Sequence, residues 1–385
     1  MHDEARKTYR IGVVTAMLSG AGGGAPRSAA VQAGALADLG QDVTIFTGHS
    51  PKYPLTPEQF HLEGCEIVSC RTIGPPDLGV NPGSFRQLAK RASEFDVIHA
   101  NMGWNLNTFP ASRIAKANRV PYIYSLRSHM GEYHFKRYRA LKPLLYFLFE
   151  RYNLRDALAL HVTSNWEIET SRHVIGGLKT VKIPNAMDLA DFETPVPRRD
   201  AKEHLGLSQN GYHVVCFGRL GSQKNPEFLL QAFLEAQLPR DSHLHFVGPP
   251  EKRVKRMLVD AVKKGGVGER VHFVDFVSGH TRRCWLACGD VFALPSHDEN
   301  FCIAVIEAVA SGTFSLVSPY VGAVEYLPTD SFRALELDLG RWSEQLKALH
   351  ATRPPQLNCA HGLSERFSPK AVGEEWLRAY GGLLK

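Results

Sequence analysis

The chain has 385 residues, of which 44% are hydrophobic and 22% are charged, and this composition excludes a mostly disordered or fibrous protein. At roughly 150 residues per domain, the length predicts two domains. The formal charge of +6 suits partners with phosphate groups or an anionic membrane surface, but it is too small for a dedicated nucleic-acid-binding protein.

Short apolar runs alternate with helix-length segments in the first half of the chain. The helical spacing of residues 25–39 ends at Gly40. The predicted strands are 11–17, 43–47, 97–100, 120–125 and 159–163. This alternation is typical of βαβ units, so we predict a parallel sheet with helices on its faces.

A second series of the same kind begins near residue 211. Its predicted strands are 214–218, 244–248, 271–275, 291–295 and 314–318. The segment 191–200 (DFETPVPRRD) contains two prolines and no periodicity, which predicts a linker. We therefore predict an α/β protein with two doubly wound, Rossmann-like domains that face each other across a cleft, where such sheets bind ligands. Residues 368–384 are predicted to form a helix capped by Ser368, with Pro369 in its first position.

No run of about 18 apolar residues is present, so we expect no membrane-spanning helix. The N-terminal residues MHDEARKTYR contain no apolar segment, so we expect no secretory signal. The seven cysteines form no C-x-x-C pair and no zinc-ligand spacing, so reduced thiols are expected and no metal site is predicted. Together these features predict a cytoplasmic protein.

The segment 294–307 (LPSHDENFCIAVIE) joins a predicted strand to a helix that begins near Cys302. Glu299 lies in the loop at the end of the strand, and Glu307 lies in the helix. A helix start presents backbone N–H groups to an anion, and a carboxylate beside them accepts hydrogen bonds from sugar hydroxyls. The alternative is that Glu299 is an ordinary acid at a helix start and Glu307 a solvated charge.

The segment 215–226 (VCFGRLGSQKNP) also joins a strand to a helix. Arg219 and Lys224 flank its loop, Asn225 is a candidate cap, and Pro226 starts the helix. Two cations at a helix start can clamp a diphosphate, and arginine supplies a planar fork for it. A solvated basic loop is the alternative.

The segment 19–26 (SGAGGGAP) follows the first predicted strand, and its glycines allow a ligand close to the backbone. Gly20, Gly22 and Ala25 fit the dinucleotide pattern G-x-G-x-x-A, which suggests an NAD-dependent oxidoreductase. That reading also requires an acid at the end of the second strand, and the residues there are Gly48 and His49.

Five segments in this order resemble the family-four retaining glycosyltransferases (glycosyl transferases group 1), whose two-domain fold is called GT-B. Residues 299–307 fit the E-x7-E motif, CFGRLGSQKNPEFLLQAF resembles the F-x-G-R-L…K segment, and IPNAMDLADF resembles P-N-G-x-D…F. Near the N-terminus, GGGAPRSAAVQAGALADLGQDVTIFT and VIHAN resemble the G-G…G-H-x-V signature and the strand that follows it. The resemblance covers nearly the whole chain.

The resemblance implies a role for each matching residue. Arg219 and Lys224 would hold the donor diphosphate and stabilise charge on the leaving group. Glu299 would lie near the transferred sugar, and Glu307 would bind the ribose hydroxyls. The other donor-binding positions are Gly22, Gly23, Gly24, Gly218, Asn300, Phe301, Cys302, Ile303 and Glu325.

The resemblance also implies how the chain is divided. Residues 1–190 would bind the acceptor, residues 191–367 would bind the nucleotide sugar, and the helix in 368–385 would pack back on the first domain. A UDP- or GDP-linked sugar would be the co-substrate, with no cofactor and no metal ion. Glu299 is assigned to positioning and charge stabilisation, with a nucleophilic role as the minority alternative.

The sequence PYIYSLRSHMG departs from the family pattern P-x-x-x-T-x-H, whose histidine lies near the sugar. Arg127 takes that place, with His129 two residues later. A subgroup of O-antigen and exopolysaccharide transferases has S-P-R-G-M-L here, so either Arg127 or His129 is expected to serve the sugar or the acceptor. Cys302 and Ala186 stand where the family has glycine. His99 is expected in the core, with a role at the site as the alternative.

Residues 134–155 (HFKRYRALKPLLYFLFERYNLR) combine cations with apolar residues at helical spacing, and Pro143 is expected to begin the helix proper. Such a segment can lie on anionic lipid at the inner face of the plasma membrane, or it can be a core-facing helix with a basic rim. Because the family's acceptors are often lipid-linked, we predict a transferase that adds a hexose to a lipid-linked saccharide in surface polysaccharide, lipopolysaccharide or glycolipid synthesis. The alternatives are a catalytically weak GT-B scaffold protein and the NAD-dependent oxidoreductase.

Overall fold

The structure is a computed structural model that describes residues 7–19, 24–74, 79–127, 130–137 and 141–385. These residues form two units. Unit 1 comprises the chain up to Met187 together with Phe367–Lys385, and unit 2 comprises Asp188–Arg366. No helix in the described part of the chain is long and apolar enough to span a bilayer.

Unit 1 is built on a seven-stranded parallel sheet in the order β3-β2-β1-β4-β5-β6-β7. Its strands are β1 (Arg10–Val14), β2 (Asp42–His49), β3 (Cys65–Arg71), β4 (Val97–Asn101), β5 (Tyr122–Ser125), β6 (Ala159–Val162) and β7 (Thr180–Lys182). The chain winds from β1 outward through β2 to β3 and then returns to β4. The adjacent ends of β1 and β4 are therefore a topological switch point, where open α/β sheets bind ligands.

The helices of unit 1 cover this sheet. They are α1 (Gly24–Asp38), α2 (Pro82–Arg91), α3 (Thr108–Ala117), α4 (Glu132–Arg137), α5 (Leu141–Leu145), α6 (Arg151–Asp156) and α7 (Asn165–Ile175). Residues Tyr146–Glu150 form a π-helix that joins α5 to α6. Ser164 caps α7 by accepting a hydrogen bond from the Glu167 N–H, which satisfies one of the free N–H groups of a helix start.

Unit 2 has a six-stranded parallel sheet in the order β10-β9-β8-β11-β12-β13. The strands are β8 (Tyr212–Phe217), β9 (Ser242–Val247), β10 (Val271–Val274), β11 (Val291–Leu294), β12 (Ser315–Val317) and β13 (Phe332–Ala334). The helices are α8 (Arg198–His204), α9 (Pro226–Glu235), α10 (Lys252–Gly265), α11 (Gly279–Ala287), α12 (Ile303–Ala310), α13 (Leu339–Thr352) and α14 (Ala360–Phe367). Its switch point lies between β8 and β11.

The last helix, α15 (Pro369–Leu383), packs against α1 in unit 1, as the family resemblance implies. Ser368 accepts a hydrogen bond from the Ala371 N–H, which confirms the predicted cap. Gly373 lets the two helices approach closely, because a β-carbon there would lie 2.7 Å from Leu39 Cδ1. Trp376 and Tyr380 on this helix are buried in the core beneath β1.

The structure corrects several boundaries. Unit 2 begins shortly before the expected position, and the expected linker 191–200 contains part of a 3-10 helix (Ala190–Phe192) and the start of α8. The expected helix start at Pro143 is wrong, because Leu141 and Lys142 already belong to α5. Proline is tolerated in the first turn of a helix because the N–H group that it lacks has no hydrogen-bond partner there. The strands β3, β7 and β13 were not predicted.

Candidate active site

The centre of the candidate site in unit 2 is an ion pair between Lys224 and Glu299. Lys224 Nζ donates to Glu299 Oε1 at 2.8 Å, and the two side chains are only 14% and 15% exposed. Ser296 Oγ donates to the same carboxylate oxygen at 3.4 Å. Lys224 precedes α9 and Glu299 precedes α12, so a cation and an anion meet where β8 and β11 end. This is the switch point of the unit 2 sheet.

Backbone hydrogen bonds fix the two loops that carry this pair. The His297 N–H donates to the Gln223 carbonyl at 2.8 Å, and the Gln223 side chain donates to the Asp298 carbonyl. The Glu299 N–H donates to the Tyr320 carbonyl at 2.8 Å. These contacts join the loop after β8, the loop after β11 and the segment after β12, so the position of the pair is set by three strands.

Three residues at the site have left-handed backbone conformations: Gly218, Asn225 (φ of 53°) and Cys302. Gly218 has φ of +120°, and a β-carbon on it would lie 3.2 Å from Lys224 Cε, so glycine leaves room for the lysine side chain. Cys302 caps α12 with φ of 63°, which explains why the family has glycine at this position. For a residue with a β-carbon this conformation costs about 1–2 kcal/mol. Ala186, the other departure, is absent from the positive-φ positions and needs no glycine.

The neighbours of Lys224 change the pKa of its ammonium group. Burial alone would lower the pKa of its ammonium, but the charges of Cys302 and Glu299 outweigh that effect and raise the pKa above its usual value. The Cys302 Sγ lies 3.8 Å from Lys224 Nζ, and burial raises the pKa of this thiol to about 12. Because a thiol with this pKa is neutral near pH 7, the negative charge beside Lys224 at that pH is the Glu299 carboxylate.

Other predicted residues of unit 2 lie around this pair with partners of their own. Glu307 is buried and forms an ion pair with Arg282 on α11, so it is not a solvated charge. Arg219 is 77% exposed, and its NH2 lies 3.6 Å from Glu251 Oε1. The remaining positions are the exposed Glu325 in the 3-10 helix Gly322–Tyr326, the loop residues Asn300 and Phe301, and Ile303 as the first residue of α12.

Arg127 in unit 1 is buried and has φ of 55°. Its guanidinium donates to the side-chain oxygens of Asn185, Asn101 and Gln32, and the last two distances are 3.1 and 3.4 Å. All three acceptors are neutral amides, and burial lowers the pKa of Arg127 to about 10 even though Glu167 opposes the shift. The cation therefore lies beyond the ends of β4 and β5 without a hydrogen bond to an anionic group among the described residues.

His99 is a core residue, which confirms that expectation. It is fully buried, its Nε2 lies 2.6 Å from Ser125 Oγ, and its ring lies against Trp376 of α15. Gly24 is the first residue of α1. The other predicted positions of unit 1, Gly22, Gly23 and His129, lie outside the described residues.

Both units match known families at the sequence level. Residues 23–186 match the family described as "Glycosyl transferase 4-like domain", and residues 211–348 match "Glycosyl transferases group 1". Together the two matches span most of the chain. The chain belongs to the family-four glycosyltransferases. The expected family is thus confirmed. The alternative hypothesis of an NAD-dependent oxidoreductase has no support from these matches.

Relatives and solved structures agree with this identification. A D-inositol 3-phosphate glycosyltransferase of Actinosynnema mirum is 29% identical to this chain over 59% of the chain and 57% of that protein's own length. The chain therefore spans about half the length of the first curated relatives that it matches.

The fold is also that of solved glycosyltransferases. Sucrose-phosphate synthase from Thermosynechococcus elongatus superposes with a TM-score of 0.78 at 21% identity, over 97% of this chain and 99% of that one. Anabaena HepE in complex with UDP-glucose superposes with a TM-score of 0.71 at 18% identity, over 97% and 100%. These likenesses confirm the GT-B fold for this chain.

Three contributors to the site were not predicted from the sequence. Arg282 pairs with Glu307, Ser296 donates to Glu299, and Gln223 ties the two loops together. Gln223 and Ser296 lie close to predicted residues in motifs that follow strands. Their positions at strand ends could therefore have identified them from the sequence. Arg282 lies in the middle of an ordinary helix, and no local pattern distinguishes it from the neighbouring Arg283.

Proposed function

We propose that this glycosyltransferase moves a hexose from a UDP- or GDP-linked donor to a saccharide acceptor with retention of anomeric configuration. The observation that carries the proposal is the Lys224–Glu299 pair at the ends of β8 and β11. It places a buried cation and a carboxylate beside two helix N-termini, which is an arrangement suited to a ligand with both phosphate and hydroxyl groups. HepE, a neighbour in fold, was solved with UDP-glucose.

Lys224 is the proposed stabiliser of the leaving diphosphate. Its ammonium remains charged through the physiological pH range because its pKa is raised. The first N–H groups of α12, those of Ile303 and Ala304, have no partner within the helix and add further positive potential. Arg219 is exposed and only loosely paired with Glu251, so it can reorient to a second phosphate. With these groups, charge on the departing nucleotide is balanced without a metal ion.

Glu299 is assigned to positioning the sugar. One oxygen of its carboxylate is held by Lys224 and Ser296, and a carboxylate engaged in an ion pair at 2.8 Å is a weak nucleophile. This favours charge stabilisation over a covalent glycosyl intermediate. Glu307 is the proposed acceptor of the ribose hydroxyl hydrogen bonds, and its ion pair with Arg282 holds that carboxylate in position.

Unit 1 is the proposed acceptor-binding unit. A pocket at the ends of β1 and β2 is lined in part by Met17, His49, Tyr53, Trp104 and Asn105, which provide an aromatic wall and polar groups for a sugar ring. Arg127 is a proposed positioning residue near the ends of β4 and β5, as in the O-antigen and exopolysaccharide subgroup. His129 is the other candidate for that role.

We further propose that the acceptor is lipid-linked and that residues 134–155 contact the cytoplasmic face of the plasma membrane. Leu144, Phe147 and Leu148 are 54%, 58% and 46% exposed, and the Arg151 guanidinium lies 3.7 Å from the centre of the Phe147 ring. Exposed apolar side chains next to cations favour anionic lipid. The same segment is anchored inward by the buried Glu150, so it is partly a core-facing helix.

The donor site is tested by turnover. Purified enzyme is incubated with UDP- and GDP-sugars, with and without lipid-linked acceptors, and released nucleotide is measured. Lys224→Ala and Glu299→Gln are expected to reduce turnover at least about a hundredfold. Lys255→Ala and Glu344→Gln alter exposed residues of the same unit and are the matched controls, with turnover expected near that of the wild type. Unchanged turnover in the first pair of variants would remove the donor assignment.

The membrane contact has a separate test. Binding to vesicles that contain an anionic lipid is measured for the wild type and for Phe147→Glu. The proposal predicts binding that falls with added salt and is lost in the variant. Equal binding of the variant and the wild type would contradict it.

A catalytically weak GT-B scaffold is the second candidate. Cys302, in place of the family glycine, is the observation that favours it, because a residue with a β-carbon is held in a left-handed conformation directly before α12. A folded protein that binds a nucleotide sugar but releases no nucleotide with any acceptor would support the scaffold instead of the transferase.

A further inference from the structure

Three metal-binding side chains that take no part in the proposed donor site meet on the helical surface of unit 2. His280 and Cys284 are one helical turn apart on α11, so they share one face of that helix. His204, the last residue of α8, lies beside them because α8 packs on α11. One ligand atom from each of the three residues lies within 4.8 Å of the other two.

The pairwise contacts show how close the group is to a coordination shell. His280 Nε2 lies 3.4 Å from Cys284 Sγ, and the rings of His204 and His280 have centroids 4.8 Å apart. Zinc binds sulfur at about 2.3 Å and imidazole nitrogen at about 2.0–2.1 Å, so tetrahedral ligand atoms lie roughly 3–4 Å from one another. Small rotations of the two histidines, which are both exposed, close the remaining gap around the buried cysteine.

We propose that His204, His280 and Cys284 bind a zinc ion, with water as the fourth ligand. Two imidazoles and a thiolate are the ligand types that zinc prefers, and the absence of a carboxylate from this group disfavours magnesium and calcium. Binding converts the Cys284 thiol to a thiolate and releases its proton to solvent. Cysteine spacing alone does not predict the site, because two of its three ligands are histidines on different helices.

Only weak contacts oppose zinc binding. His204 Nε2 lies 3.4 Å from Thr281 Oγ1, and Arg283 NH2 lies 3.4 Å from His280 Nδ1. Coordination through Nε2 of His280 leaves a hydrogen on Nδ1, so Arg283 must move away from it. Arg283 has a second anchor, since its NH1 donates to the Asp191 carbonyl at 2.6 Å. Removing its charge with Arg283→Gln should therefore tighten zinc binding.

The ion would join α8, the first helix of unit 2, to α11. This connection is structural and lies outside the donor site, so zinc should stabilise unit 2 while nucleotide-sugar turnover does not require it. Loss of nucleotide-sugar turnover after zinc is removed would contradict this structural role.

The direct test is metal titration of the full chain without an affinity tag, after treatment with a chelator. Co²⁺ is used as the spectroscopic probe because a thiolate ligand gives it a charge-transfer absorption and a tetrahedral site gives it intense visible bands. Zn²⁺ binding is then measured by calorimetry. We expect one ion per chain with a micromolar or lower Kd, and displacement of Co²⁺ by Zn²⁺.

Variants separate this site from chance binding. His204→Ala and His280→Ala change exposed residues and should leave the fold intact while weakening Zn²⁺ binding at least tenfold. Cys284→Ser should abolish the charge-transfer band, whereas Cys359→Ser, at a partly exposed thiol in the same unit, should leave it unchanged. Equal titrations for the wild type and both histidine variants, or no binding by the wild type, would overturn the proposal.

Thermal unfolding gives a second readout. Zn²⁺ at about a hundred times its wild-type Kd should raise the Tm of the wild type by about 5 °C, and it should raise that of His204→Ala by no more than about half as much. The same rise in both proteins would assign the effect to zinc bound elsewhere and overturn the proposal.

Discussion

Four histidines share one face of the unit 2 sheet, and two of them should make unit 2 sensitive to acid. His213 on β8 places Nε2 3.0 Å from the Ser208 carbonyl, so that nitrogen carries the hydrogen. Its Nδ1 lies 2.9 Å from His245 Nε2 on β9 and must accept a hydrogen bond from it. His243 and His272 continue the row on the same face. The network therefore requires His213 to be neutral, and burial of the His245 Nδ1, which has no hydrogen-bond partner among the described residues, keeps His245 neutral as well.

Burial lowers the pKa of His213 to about 4 and that of His245 to about 2. The neighbouring Lys202 also disfavours protonation of both rings, and Asp290 partly offsets this at His213. In the unfolded chain each ring has a pKa of about 6.5, so the unfolded state takes up protons first as the pH falls. Their contribution to stability is complete above pH 6.5 and decreases as the pH falls toward the folded pKa values. The contribution of each histidine to the free energy of unfolding decreases by about 1.4 kcal/mol per pH unit, which amounts to about 2 kcal/mol between pH 6.5 and 5.

The substitution His245→Gln removes one of the two titrating groups. The glutamine amide can still donate to His213 Nδ1, but it does not titrate. The free energy of unfolding is measured by urea denaturation between pH 5 and 8. From pH 6.5 to 5 the wild type should lose about 2 kcal/mol more than the variant. The exposed His361→Gln is the control and should follow the wild type. An identical pH dependence for His245→Gln and the wild type would refute the reasoning.

Three further predictions concern the backbone. Because Cys302 is left-handed, Cys302→Gly should be about 1 kcal/mol more stable to urea than Cys302→Ala, and equal stabilities would contradict the assigned conformation. Gly218→Ala should cost about 1–3 kcal/mol and reduce turnover by displacing Lys224, whereas a variant with wild-type Tm and turnover would show that the space is not needed. Ser368→Ala removes the hydrogen bond to the Ala371 N–H and should lower stability by about 1 kcal/mol, with Ser368→Asp restoring it.

The central strands were predictable from the sequence because they are buried on both faces and read as continuous apolar runs. The strands that were missed lie at or near the sheet edges. The edge strand β3 (CEIVSCR) mixes polar and apolar residues, and β7 and β13 have only three residues each. Edge strands contact fewer neighbours, so short or mixed sequences form them once a sheet is present, and no local pattern predicts them.

The site was predictable as a set of positions but not as a geometry. Motif order placed Lys224 and Glu299 at strand ends, yet these residues are 75 positions apart and meet only because β8 and β11 are neighbours. The burial of Arg127 could not be predicted either, because its three amide partners come from three distant parts of the chain. Pairing of Glu307 with Arg282 depends on how α11 packs beside α12.

The return of α15 to unit 1 has a consequence for biosynthesis. Residues 188–366, which form unit 2, separate the two parts of unit 1, so the ribosome completes unit 2 before it releases the helix that carries Trp376 and Tyr380. During that interval the surface of α1 that α15 covers is exposed to water and is a natural target for chaperones. Premature termination after residue 366 would leave unit 2 intact and unit 1 prone to aggregation.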